Sequence, residues 1–275
     1  MKPATNRHIY LSLMWRSLIG HRTADAWRNV AWPIGLFLVA LIAWEAFVRI
    51  WDISIILLPP PSTIFAYIYR RFDLFVLHMW PTLLQTVWGF ALAVVGGILL
   101  AIVASLTEIG RRGLMPMLVV AQIVPKVALA PLLMLWFGLG DLSRVLIAFL
   151  IAFFPMVINT ASGLTSVDHD VVLLGRWLTR SRWKSFFKIQ IPHALPYIFD
   201  GMRVSITLAV TGVIVAEFVT SQRGLGYLIL FANGNLDAVL MLAAIIVLSI
   251  VGLTLYGIVA VMDSFLVYWR SEDRL

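Results

Sequence analysis

Six long apolar segments constrain this chain more than any other feature. Each comprises or approaches the ~20 apolar residues that a helix needs to cross the hydrocarbon core of a bilayer. We place them at residues 32–50, 81–106, 114–137, 142–164, 195–220 and 236–261. Because 61% of the residues are hydrophobic and only 13% are charged, a soluble domain of 275 residues is excluded. The sequence therefore predicts an all-α integral membrane protein with six transmembrane helices.

The longest stretch between two spans that is neither apolar nor a simple turn runs from Asp168 to Pro196. Its basic residues recur at every fourth position, at Arg176, Arg180, Lys184 and Lys188. On one helix they would form a single basic stripe opposite an aromatic side. Asp168 and Asp170 favour a helix start, and Pro192 and Pro196 are expected to end the helix. Such a helix binds either anionic lipid headgroups or another protein, and this pattern leaves both interpretations open.

The distribution of positive charge predicts the orientation in the membrane. Of the 21 Lys and Arg residues, fifteen lie on the side of the two termini and of the 168–196 stretch, five lie on the other side, and Lys126 lies within a span. Because cytoplasmic segments carry the excess of Lys and Arg, both termini are expected to be cytoplasmic. Residues 1–31 have no signal-peptide pattern and are expected to be a cytoplasmic amphipathic lead-in, followed by one membrane domain at 32–275.

No catalytic or metal-binding motif assembles in the sequence. It contains no GxxxxGK[ST], HExxH or GxSxG motif, its five histidines are scattered, and it has no cysteine. We therefore expect no catalytic site and no metal site. If the protein performs active transport, the nucleotide-hydrolysing site must lie on another chain.

Lys126 lies at the middle of the third predicted span, where a charge costs about 2.5–3.5 kcal/mol. It lies between Pro125 and Pro131, which would break the backbone of the third span and leave carbonyl groups without partners. Lys126 either faces a transport pathway or binds those carbonyls, and the sequence slightly favours the structural role. Glu217, near the end of the fifth span, is interpreted as an interfacial carboxylate rather than a gate, and Glu45 in the first span is equally ambiguous.

Several separate motifs occur in an order typical of one transporter family. They are PPPS at 59–62, PLLMLWFGLG at 131–140, FFPMVINT at 153–160, SRW at 181–183, IPHALP at 191–196, GMR at 201–203, AE at 216–217 and GLGY at 224–227. The chain resembles the inner-membrane permease of type I ATP-binding-cassette (ABC) importers, in the branch that handles sulfonates, taurine, nitrate and bicarbonate. The resemblance implies a six-helix permease fold with a coupling-helix loop, at about 168–192, between the fourth and fifth helices.

The resemblance also implies the partners of the chain. They are a second permease subunit, two cytoplasmic ATPases that carry ATP and Mg²⁺, and an extracytoplasmic binding protein, while this chain itself holds no cofactor. The location implied is the cytoplasmic (inner) membrane of a bacterium, and the mechanism is alternating access between two permease subunits.

We predict two sets of site residues. The ATPase-coupling set is Leu173, Leu174, Gly175, Arg176, Trp177, Thr179, Arg180, Arg182, Trp183, Phe186 and Pro192. The translocation set is Gln122, Pro125, Lys126, Pro131, Asn159 and Glu217. The coupling loop departs from the family pattern, since Leu173-Leu174-Gly175 replaces the usual Glu-Ala-Ala and Thr179 replaces the usual glycine. The missing glutamate predicts an unusually apolar coupling surface.

Alternatives remain for the energy source and for the substrate. A secondary transporter or channel would require intramembrane acidic relays or inverted repeats, and the sequence shows neither clearly. For the importer, two copies of Lys126 near the pathway would favour a small anion. A neutral heterocyclic vitamin precursor is the second candidate substrate.

Overall fold

A computed structural model describes residues 31–220 and 222–270, so the predicted lead-in at 1–31 lies almost wholly outside the described residues. Within them the protein contains helices and connecting turns. Five helices are long and apolar enough to cross a membrane, and one sharply bent pair makes a sixth span if its halves are counted together. The predicted all-α membrane fold is therefore confirmed.

Residues 31–66 form a compact unit that begins with α1, Ala31–Ile50. Near the end of α1, the Glu45 carboxylate accepts hydrogen bonds from Arg49 Nε (2.6 Å), Ser62 Oγ (2.8 Å) and the Ser62 backbone N–H (3.0 Å). The structure thus gives Glu45 two partners. The next helix, α2 (Pro61–Arg70), begins at Pro61. Proline suits a first helical position since it has no N–H group to satisfy.

The second unit, from Tyr67 onward, contains the remaining spans. Its first long helix, α3 (Phe72–Leu106), has 35 residues and starts well before the predicted boundary at Pro81, which lies inside the helix. The last two spans are α9 (Ile191–Thr220) and α11 (Ala238–Leu266), and a shorter apolar helix, α10 (Leu225–Gly234), lies between them.

The third predicted span is broken. Residues Arg112–Ala121 and Lys126–Phe137 are bent by 82° relative to each other. The first half comprises a π-helical turn (Gly110–Leu114) and α4 (Met115–Ala121), and the second a 3₁₀ turn (Lys126–Leu129) and α5 (Ala130–Phe137). Pro125 precedes the 3₁₀ turn in an extended conformation. The break lies where the prolines predicted it, because Pro125 cannot donate a helical hydrogen bond.

Small residues hold the middle of the unit together. The helix α6 (Asp141–Thr165) packs against α3 and α9 through a core of Ala93, Ala148, Ala152, Ala209 and Val213. A Cβ atom at Gly89 would lie only 2.6 Å from Ala148 Cβ, so α3 and α6 approach as closely as their backbones allow. Membrane helices use such contacts because lipid offers no hydrophobic driving force for their association.

Candidate functional site

The loop between α6 and α9 contains a short helix, α7 (His169–Thr179). As predicted, Asp168 caps its start, since its carboxylate accepts a hydrogen bond from the Asp170 backbone N–H at 2.8 Å. The cap fixes the direction in which the chain leaves α6 and enters the loop.

The predicted single basic stripe does not form. Arg180 ends α7 in the left-handed region with φ = 50°, and Ser181 then caps a second helix, α8 (Arg182–Ser185). Arg176 therefore lies on one helix, whereas Lys184 and Lys188 lie on another segment. The prediction failed because the left-handed residue is an arginine, and the sequence offers no glycine or proline to indicate a turn there.

The two prolines also behave differently from the prediction that they end the helix. Helical structure continues from α8 through a π-helical turn (Phe186–Gln190) into α9, so residues Arg182–Val219 form one candidate span. Pro192 lies directly after the π-helical turn, at the second position of α9, and Pro196 lies inside α9.

The loop is held together by close packing at Gly175. A Cβ atom at this position would collide with Ile189 Cδ1 and would lie 2.9 Å from Ser185 Oγ. Thr179 Oγ1 also donates a hydrogen bond to the Gly175 carbonyl oxygen at 2.7 Å. Gly175 thus joins α7 to the segment that leads into α9, so α7 is braced directly against the start of a span.

The aromatic residues of the loop divide into buried and exposed groups. Phe186 is only 3% exposed and packs in a core with Met156, Leu164, Ala194 and Ile198, so its prediction as a docking residue is wrong. Trp177 and Trp183 are 81% and 64% exposed, and Phe187, which the prediction omitted, is 61% exposed. The Trp183 and Phe187 rings stack with their centroids 6.3 Å apart.

One concave region lies on the outside of the loop. Its volume is about 570 Å³, and it is lined by Leu173, Arg176, Trp177, Arg180, Ser181 and Arg182. All but Ser181 belong to the predicted coupling set, and they come from both sides of the Arg180 turn. The turn that breaks the basic stripe thereby creates the concavity.

The ammonium group of Lys126 is engaged at the break between α4 and α5. Its Nζ donates to the Gln122 carbonyl oxygen at 2.5 Å and to the Val124 carbonyl oxygen at 3.4 Å. The same atom lies 4.6 Å from the centre of the Phe154 ring. These contacts match the structural role considered for Lys126, in which it binds backbone carbonyls left free by the break.

The structure does not bring the predicted pathway residues together. Gln122, Pro125 and Lys126 share the break, whereas Asn159 lies on α6 and donates to the carbonyl oxygen of Pro155, one turn earlier, at 2.8 Å. Pro131 lies in the first turn of α5. Glu217 lies near the end of α9, so the set is distributed along the spans.

Glu217 has a different environment from the interfacial one that the sequence predicted. Its side chain is fully buried, and its carboxylate accepts hydrogen bonds from Thr82 Oγ1 and from the Gly226 backbone N–H, both at 2.7 Å. Glu217 is therefore enclosed by protein rather than exposed at an interface. The signal that could have found its partners is the spacing of His78, Thr82 and Gln85 on one face of α3, because polar residues at helical spacing in an apolar run face protein.

Residues 93–267 match the family described as the binding-protein-dependent transport system inner membrane component. The chain belongs to this family. It is a membrane permease of an ABC importer.

Three relatives show how far the similarity of this permease extends. It is 33% identical to the riboflavin transport system permease protein of Chloroflexus aurantiacus over 90% of this chain and 92% of the relative. It is 31% identical to the formylaminopyrimidine transport permease protein of Halalkalibacterium halodurans over 88% and 96%, respectively. It is 32% identical to the putative aliphatic sulfonates transport permease protein of Bacillus subtilis over 89% and 90%.

The permease also has an ion-pair cluster that sequence reasoning missed. Asp263, on α11 and only 3% exposed, accepts hydrogen bonds from Arg203 Nη2 on α9 (2.5 Å) and from Arg270 Nη1 (3.1 Å). Arg270 Nη2 also donates to Asp200 on α9 at 2.5 Å. Hydrogen bonding to Asp200 raises the pKa of the Arg270 guanidinium above its ordinary value. The cluster ties α11 and the residues after it to α9, but its members are too far apart in sequence to predict their pairing.

Proposed function

We propose that the 168–192 loop of this permease faces the cytoplasm and docks an ABC ATPase through its exposed aromatic side chains. The observation that carries the proposal is the exposure of Trp177, Trp183 and Phe187 beside a basic concave surface. Large aromatic side chains that remain exposed in a segment rich in basic residues are typical interface residues. The excess of Lys and Arg on this side and at both termini supports a cytoplasmic placement.

The proposed assembly contains two permease subunits, two ATPases that bind ATP and Mg²⁺, and a binding protein at the opposite face. ATP binding would close the ATPase pair, and this motion would reach the permease through α7. Because Gly175 packs directly on Ile189 and Ser185, a displacement of α7 is passed to the segment that continues into α9. The solute would then cross between the two permease subunits.

Co-purification of the permease with its ATPase in mild detergent tests the docking surface. We expect Trp183→Ala and Phe187→Ala each to reduce the recovered ATPase by about tenfold, because interface aromatic residues carry a large share of binding energy. Trp136→Ala is the matched control, since Trp136 is equally exposed at 65% but belongs to α5. Its ATPase recovery should equal that of the wild type.

Charge reversal separates an aromatic dock from a purely electrostatic one. Arg180→Glu and Lys184→Glu should reduce ATPase recovery by less than about threefold at physiological salt, since charges at an interface rim are screened. If charge reversal abolishes ATPase recovery while both aromatic variants retain it, the proposed aromatic contact is wrong.

The solute class has two candidates. The sequence predicts a small anion, and the resemblance of the chain to a sulfonate permease supports it. A heterocyclic vitamin precursor is the second candidate, favoured because the Lys126 ammonium already binds two backbone carbonyls. The relatives that transport riboflavin and formylaminopyrimidine support this second candidate.

Lys126→Met distinguishes the two solute classes. If Lys126 attracts an anion, uptake should fall sharply in Lys126→Met and recover partly in Lys126→Arg, because arginine keeps the charge. If the solute is a heterocycle, the Met variant should retain uptake per assembled importer, because the Lys126 charge then serves only the break between α4 and α5. Thermal-shift measurements on the cognate binding protein with sulfonates, nitrate and neutral heterocycles identify the class independently of this variant.

A further inference from the structure

The first backbone N–H groups of α10 have no carbonyl acceptor within their own helix, as at any helix start. Three of them donate hydrogen bonds to side chains of other helices. The bonds run from Gly224 N to His78 Nδ1 (3.2 Å), from Leu225 N to Thr82 Oγ1 (2.9 Å) and from Gly226 N to Glu217 Oε2 (2.7 Å). We name this group of contacts the α10 joint. It connects α10 with α3 and α9 through polar contacts in a buried setting.

The backbone of the α10 joint is shaped around the Glu217 carboxylate. Gly224 has φ = 115°, a conformation that favours glycine, and a Cβ atom there would collide with the carboxylate. A Cβ atom at Gly226 would lie 2.8 Å from Glu217 Oε2. Two glycines are therefore needed to let the chain pass so close to this one side chain.

A buried carboxylate is costly unless it is bound, and the α10 joint supplies what Glu217 needs. Thr82 and Gly226 donate to its two oxygens, which lie at the positive end of the α10 dipole, where a carboxylate is favoured. Thr82 also accepts from Leu225 N, so one hydroxyl group connects the carboxylate with the helix start. Loss of Glu217 would leave the Gly226 N–H without its acceptor and would remove the nearer acceptor of the Thr82 hydroxyl.

The α10 joint lies at the end of the spans opposite to the 168–192 loop, because α9 begins beside that loop and reaches Glu217 near its other end. The residues just before α10 shape the surface at this end. Gln222 and Arg223 line a cavity of about 500 Å³, which is also lined by Pro81, Leu139, Asp141 and Arg144. The position of the first turn of α10 therefore determines where Gln222 and Arg223 lie, and with them the shape of this cavity.

We propose that Glu217 is the positioning residue that fixes the first turn of α10 to α3 and α9, so that the three helices move as one body during transport. The attachment of α10 to α3 and α9 follows from these contacts. The joint movement of the three helices during transport rests on the proposed function. Opening the α10 joint would break four hydrogen bonds at once, namely the three donated by the backbone of α10 and the one from Thr82 to Glu217. Motion during the cycle therefore occurs elsewhere in the permease.

A single cysteine at Leu225 reports on the α10 joint, because Leu225 is fully buried and the chain contains no other cysteine. Leu225→Cys should resist an impermeant maleimide in the permease alone in membranes and in the assembled importer trapped with vanadate. Adding Glu217→Ala should raise the labelling rate by about tenfold or more, because local opening exposes the thiol. Adding Glu217→Gln, which keeps one acceptor oxygen, should leave the rate within about threefold of the parent.

Two controls separate positioning from general loss of structure. Asp237→Asn alters another helix cap, that of α11, where Asp237 accepts from Leu240 N at 2.9 Å, and it should not change Leu225→Cys labelling. A cysteine at Ala209, buried within α9, should stay unreactive in the Glu217→Ala background. If Glu217→Ala is not recovered from membranes, Glu217→Asp replaces it, with an intermediate rise in labelling expected because its carboxylate is shorter.

Two results would overturn the proposal. One is equal labelling of Leu225→Cys with and without Glu217, which would remove the positioning role. The other is rapid labelling in the vanadate-trapped importer with Glu217 intact, which would show that the α10 joint opens during transport. A failure to bind the ATPase would affect only the trapped sample, so it is distinguishable from a failure of the positioning role.

Discussion

The two ends of this permease use polar and aromatic residues in opposite ways. In the α10 joint, Glu217 and Thr82 are fully buried and satisfy each other and the start of a helix. In the 168–192 loop, Trp177 and Trp183 remain mostly exposed although they are among the largest apolar residues of the segment. A buried polar group with all its partners inside the chain serves the fold. An exposed aromatic residue beside a concavity serves contact with another molecule.

Neighbouring phenylalanines in the loop give the sharpest test of this contrast. Phe186 is 3% exposed and Phe187 is 61% exposed. Phe186→Ala should lower the free energy of unfolding by about 3–5 kcal/mol, because a buried ring is lost and a cavity remains. Phe187→Ala should lower it by less than about 1 kcal/mol. Equilibrium unfolding in mixed micelles measures both, and equal losses would contradict the division of the loop into buried and exposed aromatic groups.

The α10 joint can be tested in the same way with two threonines one turn apart on α3. Thr82→Val leaves the Leu225 N–H without a partner and removes the donor to Glu217 Oε1, so we expect a loss of about 2–5 kcal/mol in unfolding free energy. Thr86→Val removes a hydroxyl that is equally buried but donates only to the Thr82 carbonyl oxygen of its own helix at 2.7 Å. Thermal unfolding in detergent should show a much smaller effect for Thr86→Val. Equal effects would mean that the hydroxyl of Thr82 has no special role.

Sequence reasoning found the spans because apolar length is a local property, and it found the break at Pro125 because proline acts on its own backbone. It missed the α10 joint because Glu217 and Thr82 are 135 residues apart, and only the packing of α9 on α3 brings them together. It misassigned Phe186 for a related reason. Because the helix is interrupted at Arg180, helical periodicity from α7 does not show which aromatic residues after the turn face the spans.

The smallest expected effect concerns that turn. Arg180 adopts φ = 50°, which costs an L-residue with a Cβ atom roughly 1–2 kcal/mol relative to glycine. Arg180→Gly should therefore stabilise the permease by about 0.5–1 kcal/mol. The rest of the backbone cost is offset because glycine has greater conformational entropy in the unfolded chain. Arg176→Gly, inside α7, is the control and should destabilise by about 1 kcal/mol. Chemical denaturation measures both changes in unfolding free energy, which should have opposite signs. Destabilisation by Arg180→Gly would contradict a strained backbone at this turn.

The length of α3 has a consequence for where water meets the protein. With 35 residues it is about 52 Å long, whereas the hydrocarbon layer is ~30 Å thick. To fit inside that layer the helix would have to tilt by about 55°, beyond the ~40° limit of membrane helices. Part of α3 must therefore stand in the headgroup layer or in water. If the protruding part is the Phe72 end, with Trp80 at the boundary, Glu217 is kept dry by its own protein rather than by lipid.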